Sequence, residues 1–460
     1  MWAVGLLAAA TVWLVLERLL VPSVRFFLRR RVNRVLDEVN KRLQIHVQPF
    51  KLTKRRVLID RLMYDPQVME AAESYGEEEG MPREVVMATI ERYAKEIVPS
   101  FNAYIYFRFG YWLARQLART LYRVRLGYAD ESALERVKPD STIVFVMNHR
   151  SNMDYVLVAY LVAERAALSY AVGEWARIFP LESLIRSMGA YFVRRRSRNK
   201  LYRRVLARYV AMATREGVTQ AIYPEGGLSR DGALVKPKLG LFDYMLRDFD
   251  PAGDRDLVFV PVGLNYDRVL EDRTLILDTD PKAKGKKGVE ALATTLGFFW
   301  HNFRLWISRH WFRFGYACVQ FGSPVSAQEY LRERQLDLRS LARDERFAEV
   351  GTLADVLMRR VGEVIPVVPV ALVADVLVTE SNRRWTKLEL KAAVQERVDE
   401  LKLSGAQVYI TRDDDDYTID VGLRMLTLRH LVLDDKGILS AAPEALPLLR
   451  YYANSIGHLG

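Results

Sequence analysis

The sequence predicts an α/β fold, a largely parallel mixed sheet flanked by helices, and three observations predict it. Between about 140 and 325, short runs of apolar and β-branched residues alternate with longer helix-patterned stretches. The first four runs each end in a polar or glycine-containing turn, so four turns can converge on one edge of the sheet, where α/β folds place their chemistry. From about 30 to 130 and again past about 325, the pattern is helical instead. The expected organisation is an N-terminal membrane anchor at 1–28, a helical region at 29–135, an α/β domain at 136–325 and a helical C-terminal region at 326–460.

The first element is the anchor. Residues Trp2 to Leu16 are continuously apolar or small, and the run then meets Arg25, Arg29, Arg30, Arg31 and Arg34. A basic flank after the apolar run, with no small-residue cleavage site, is the reverse of a signal peptide. The segment is read as a short span or an interfacial helix, with the basic flank and the body of the protein on the cytoplasmic side. In the helical region that follows, Pro82-Arg83-Glu84 starts a helix. Phe101 to Leu126, rich in Tyr, Phe and Arg, reads as the last helix, one that either touches lipid or packs.

Five strand-like runs follow: Thr142 to Met147, Ala190 to Val193, Val218 to Tyr223, Leu257 to Leu264 and Gly315 to Phe321. Beyond them Val364 to Val378 is apolar enough for a buried helix, with Pro366 and Pro369 near its start, and Lys387 to Leu403 is amphipathic. Arg412 to Asp416 reads as a solvated acidic turn and not as a metal site.

Half of the 460 residues are hydrophobic and 27% are charged, which excludes a disordered chain. The net charge of +11 directs attention to anionic partners: nucleic acid, acidic head groups or phosphorylated small molecules. With no helix-turn-helix signature and no aromatic platform for single strands, nucleic acid is not an expected partner. The single cysteine, Cys318, excludes an internal disulfide; within a strand-like run it reads as a buried small hydrophobe.

Chemistry is expected in the turns. The first holds His149 and, five residues on, Asp154 in the first turn of a helix. An imidazole bonded to a carboxylate is a general base held in one tautomer, suited to taking a proton from a hydroxyl. The second turn carries Arg194, Arg195 and Arg196, of which alternate members share a face, and arginine forks match phosphate oxygens. The third reads Glu225-Gly226-Gly227-Leu228-Ser229-Arg230. Its glycines let backbone amides approach an anion, Ser229 can donate, Arg230, Lys236 and Lys238 add charge, and Glu225 can orient a hydroxyl or pair with an arginine of the second turn. In the fourth run Pro261 lacks a ladder donor, so it marks an edge, a bulge or a close approach and serves shape.

Taken in order, His149 to Asp154, Gly189 to Arg195, Glu225 to Arg230 and Val260 to Tyr266 resemble the four motif blocks of the glycerolipid acyltransferases. The likeness is strongest to the membrane-bound glycerol-3-phosphate acyltransferases of bacteria and their dihydroxyacetone-phosphate relatives. Asn199 to Tyr202, Lys236 to Gly240 and Tyr451 to His458 look like that subfamily in particular. The resemblance implies acyl transfer from a thioester, acyl-CoA or acyl-carrier protein, to the sn-1 hydroxyl of glycerol 3-phosphate. It implies His149 as base, Asp154 as its partner, a phosphate held between the second and third turns, and a backbone amide near the first turn for the oxyanion. No cofactor or metal beyond the thioester co-substrate is implied. One departure stands out: Leu228 occupies a position where the family usually has arginine. Other acceptors, dihydroxyacetone phosphate or a lysophospholipid, remain open, as does a non-enzymatic, basic, membrane-associated protein. Phe298 to Phe314, aromatic residues interleaved with arginines just after the basic stretch Lys282 to Lys287, is a second expected contact with membrane lipids.

Overall fold

The structure, a computed structural model, describes residues 48–162, 167–173, 181–194, 197–277, 314–410 and 414–459. The expected anchor at 1–28, Arg195 and the aromatic and basic stretch from 298 to 313 lie outside them. Among the described residues no helix is long and apolar enough to cross a membrane.

The main sheet contains β1 (Arg123–Tyr128), β2 (Thr142–Met147), β3 (Ser169–Gly173), β4 (Tyr191–Val193), β5 (Gln220–Ile222), β6 (Leu257–Tyr266), β7 (Tyr316–Phe321) and β8 (Val325–Ser326). Its order is β1-β7-β6-β2-β5-β3-β4, with β8 also on β6. Every pairing is parallel except those of β6 with β7 and β8. All five expected runs are strands. Three others were not foreseen: β3 and β8 are short, and β1 lies inside the stretch expected to be one helix from Phe101 to Leu126. At the sheet edge β1 exposes Arg123 and Arg125, so its pattern lacks the apolar face that marks a strand.

Both β2 and β6 are buried from end to end, as interior strands covered on two faces must be. Val144, Val146, Ile222 and Phe259 face α1 (Arg55–Met63), α2 (Pro66–Glu79), α3 (Arg83–Ile97), α6 (Lys200–Arg215), α7 (Gly240–Leu246) and α8 (Arg343–Glu363). Phe145, Met147, Tyr223, Val260 and Val262 belong to the other core, with α4 (Tyr111–Leu121), α5 (Met153–Val162), α9 (Pro369–Thr379), α10 (Lys387–Leu403), α11 (Asp415–Leu428) and α12 (Leu446–Ala453). The apolar run at Val364 becomes helical only at Pro369, because proline is suited to the first helical position and not to an interior one. Asp267, at the end of β6, accepts from Val370 N at 3.0 Å and so seats the start of α9. The C-terminal region, expected to be helical throughout, also holds a small antiparallel sheet of β9 (Trp385–Thr386), β10 (Val432–Asp435) and β11 (Ile438–Ala441).

Pro261 is not on an edge. It lies in β6, between β2 on one side and β7 and β8 on the other. On that second side the pairing passes from β8 at Phe259 to β7 at Val262, and a residue without an amide hydrogen fits the gap. Its carbonyl accepts from Gly322 N at 2.8 Å, so its role is the close approach of a neighbouring turn.

Candidate active site

Strand order decides which turns meet. β2 and β5 are neighbours, so the His149 loop and the Glu225 turn sit side by side. β4 lies three strand positions from β2, roughly 14 Å at the usual spacing, which keeps Arg194 away from the imidazole.

His149 and Asp154 do meet: Nδ1 and Oδ2 are 2.8 Å apart, with side chains 1% and 0% exposed. The same Oδ2 accepts from Arg150 N at 2.8 Å and Ser151 N at 3.1 Å. Its other oxygen, Oδ1, accepts from the Tyr266 hydroxyl at 2.6 Å. Every neighbour of Asp154 is a donor. The network therefore puts a proton on Nδ1 and leaves Nε2 with its lone pair, the form a base requires. That Nε2 is buried and without a hydrogen-bond partner among the described residues. The imidazole stacks on Tyr223, ring centroids 4.2 Å apart, and meets the edge of Tyr155 at 5.5 Å.

The rest of the loop is equally committed. Asn148 exchanges two hydrogen bonds with the Leu264 backbone, at 2.9 and 2.8 Å, which pins β2 to β6. Glu271 takes the Ser151 hydroxyl at 2.7 Å and Asn152 N at 3.1 Å, and burial pushes its carboxyl up. His149 N donates to Glu225 Oε1 at 3.0 Å, and Met153 N to the Ser151 hydroxyl at 3.1 Å. Every amide from His149 to Met153 is thereby engaged within the protein. The expected oxyanion donor near the first turn is not found there, because Asp154, Glu225, Glu271 and Ser151 have taken its candidates.

In the second and third turns the expected phosphate ligands divide. Arg194 is held bidentately by Glu96, at 2.8 and 2.6 Å, between the rings of Tyr93 and Tyr202. That pairing raises its guanidinium further above its ordinary value. It is a structural ion pair first, and its expected partner Glu225 is bonded to the His149 loop instead. The Ser229 hydroxyl turns inward, donating to Ala233 O at 2.8 Å and accepting from Gly232 N at 3.1 Å, so it closes its own turn and is not offered to a phosphate. Arg230 and Lys236 are exposed. Leu228, in place of the family's arginine, packs against the apolar core.

Lys238 is exposed as well but lies at the cavity. Gly226 has φ +68°, and a Cβ there would stand 2.8 Å from Lys238 Nζ, so the glycine both makes the turn and lets the ammonium lie across it. Gly226 and Lys238 line a cavity of ≈ 210 Å³ together with Arg194, Ser197 and Arg203, and Tyr155 and Tyr223, which cover His149, form part of its wall. Gly227 is partly buried beside them. Glu225 Oε2 is buried and without a hydrogen-bond partner among the described residues, and desolvation pushes this carboxyl up to about 7. Among the described residues no group of acidic, histidine or cysteine side chains could hold a metal ion.

The C-terminal region completes the site from behind. Arg150, buried beside His149, donates to Gly232 O and, at 3.2 Å, to Ser455 O. Asn454 Nδ2 reaches Asp231 O at 2.9 Å, and Tyr452 OH donates to Asp272 at 2.5 Å. Sequence reasoning passed over Arg150, Tyr266, Glu271 and Glu96. Tyr266 was the findable one, since it ends the fourth strand on the same face as Val262 and Leu264.

Comparison with known proteins gives two family matches. The acyltransferase family model matches residues 130–265, and the model of the glycerol-3-phosphate acyltransferase C-terminal region matches 305–459. The chain thus pairs a match to an acyltransferase domain with a match to the C-terminal region of glycerol-3-phosphate acyltransferases. The two matches bracket the contact just described, since Arg150 lies in the first and Ser455 in the second. A glycerol-3-phosphate acyltransferase of Aeromonas hydrophila is 29% identical over 419 residues, covering 89% of this chain and 50% of the relative. One of Pseudomonas fluorescens is 27% identical over 450 residues, covering 94% and 51%. The chain thus spans about half the length of the curated relatives it matches. A solved 1-acyl-sn-glycerophosphate acyltransferase from Thermotoga maritima overlays with a TM-score of 0.31 at 17% identity, covering 55% of this chain and 78% of that one, a likeness too slight to carry an argument.

Proposed function

We propose that the protein transfers a fatty acyl group from a thioester, acyl-CoA or acyl-carrier protein, to the sn-1 hydroxyl of glycerol 3-phosphate, giving 1-acylglycerol 3-phosphate. The observation that carries this reading is the buried His149–Asp154 pair, whose unpartnered Nε2 lies behind the tyrosine wall of a cavity lined by cationic side chains. The hydroxyl oxygen attacks the thioester carbonyl carbon while Nε2 takes its proton. As the carbon–sulfur bond breaks, the proton passes from the imidazolium to the leaving thiolate. Asp154 keeps the ring in place and stabilises its cationic form. Enclosure of the base keeps water from competing for the thioester. The acceptor phosphate lies against Lys238 and Arg203 over Gly226, and Glu225 accepts from an acceptor hydroxyl. The protein works at the cytoplasmic face of a membrane, held by its N-terminal segment.

Loss of the block-three arginine to Leu228 favours one second reading, the same chemistry on dihydroxyacetone phosphate. One experiment tests both: purified protein is given radiolabelled glycerol 3-phosphate, dihydroxyacetone phosphate or lysophosphatidate with palmitoyl-CoA or palmitoyl-acyl-carrier protein. Lysophosphatidate from glycerol 3-phosphate is expected, falling roughly 10²- to 10⁴-fold in His149→Ala. A protein that acylates none of the three, or retains its rate without His149, removes the proposal.

A further inference from the structure

The helix that covers the catalytic one presents an uncovered face. Tyr104, Phe109 and Trp112 are 38%, 47% and 54% exposed, large values for aromatic side chains. Phe109 and Trp112 lie together, with ring centroids 6.3 Å apart. Phe109 sits on a π-helical turn, Ile105–Gly110, that runs directly into α4, which carries Trp112. Gly110 at the junction is where Met188 comes close, a Cβ there standing 3.1 Å from its terminal methyl. Positions 104, 108, 112, 115 and 119 fall on one side of a helix, and Arg108, Arg115 and Arg119 are exposed along with Tyr104 and Trp112. Ala114, Ala118 and Leu121 take the opposite side and are buried.

Charge completes the description. From Val98 to Ala129 the chain has five arginines and no Asp or Glu. The patch is therefore both aromatic and uniformly cationic. An apolar protein partner would leave the arginines unmatched, whereas an anionic bilayer takes the rings at head-group depth and the guanidinium groups at its phosphates. We propose that this face of residues 104–119 docks on an anionic phospholipid surface. The inference rests on the acyl-transfer reading for its purpose. α4 packs against α5, with the Tyr111 and Tyr160 rings 6.0 Å apart, and α5 carries Asp154 in its first turn. Docking there brings the bilayer to the helix layer directly over the site that produces an amphiphile.

The test uses the full chain. Cys318 is the sole cysteine and is buried, so Trp112→Cys accepts an environment-sensitive fluorophore selectively. With vesicles of phosphatidylglycerol in phosphatidylcholine, the probe is expected to shift to the blue and to be quenched by lipid-borne nitroxides. Read by the same probe at position 112, which reports this face whatever the N-terminal segment does, Arg115→Glu and Arg119→Glu are each expected to weaken binding about fivefold or more. A probe that stays in water, or arginine variants that bind as the parent does, overturns the proposal. A blue shift that grows with protein concentration and needs no vesicles assigns the face to a second copy and overturns it as well. Turnover of a short-chain, water-soluble thioester in detergent should be unchanged in both arginine variants. A parent protein inactive in that assay that still docks refutes the reaction and leaves the surface standing.

Discussion

Asp154 receives four hydrogen bonds, three from its own loop and one from the Tyr266 hydroxyl at the end of β6. Tyr266 is thus a positioning residue. Tyr266→Phe should lower kcat roughly five- to tenfold, the equivalent of a lost bond of about 1 kcal/mol, with KM for both substrates unchanged. A rise in KM with kcat intact would contradict this role. Lys238→Ala should do the opposite, raising KM for the phosphorylated acceptor about tenfold while sparing kcat; equal loss with an uncharged acceptor would move the phosphate elsewhere. The His149–Asp154 pair was legible in the sequence because its geometry is local, one loop and one helical turn. Arg194 was not, because what disposes of its charge is Glu96, 98 residues away, and no pattern along the chain announces that partner. Ser229 misled for the reverse reason: the bonds of its hydroxyl stay within four residues, and a turn that closes on its own hydroxyl has the same composition as one that offers it outward.

Elements meet most tightly at Gly232. It has φ +88°, and a Cβ there would enter the space of the Tyr451 backbone carbonyl. Gly232→Ala should therefore destabilise the fold by about 2 kcal/mol or more, read from the denaturant midpoint, since both the left-handed backbone and the close approach are lost. Activity should fall further than stability, because this turn is bonded to His149 through Ser229 N and His149 O at 3.0 Å. The variant with parent-like stability would show that α12 can move aside. At this scale the strands with buried, continuous apolar runs were readable, down to the ends of β2. The edge strand β1, which carries arginines where an interior strand carries valine, was not. The order of strands was beyond reading as well, yet it is what brings the third turn to the first and keeps the second away.

At the scale of the whole molecule, buried carboxyls and a buried lysine among the described residues set opposing pH trends. Burial raises Glu225 from 4.5 and Asp267 from 3.8, each to about 7, so the folded state holds protons that the unfolded chain has released. Their contribution to stability is complete at acid pH and is lost as pH rises toward 7. Lys51 runs the other way: it donates to Ala167 O at 2.9 Å and Leu168 O at 2.8 Å, and burial lowers its amine from 10.5 to about 7. Its contribution is complete above the ordinary lysine range and is lost as pH falls to about 7. From these groups a stability minimum near neutrality is expected. Urea midpoints across pH 4 to 10 should show it, with the acid limb flattened in Glu225→Gln and the alkaline limb flattened in Lys51→Met. A monotonic profile would refute it.

The bond from Arg150 to Ser455 joins residues 305 positions apart. At ribosomal elongation of roughly 5–20 residues per second, the loop that carries His149 emerges roughly 15–60 s before the segment that holds it in place. A nascent chain therefore carries this imidazole long before its loop is braced. The Arg150 brace is thus a late part of the site to form, after the imidazole and carboxylate that it steadies.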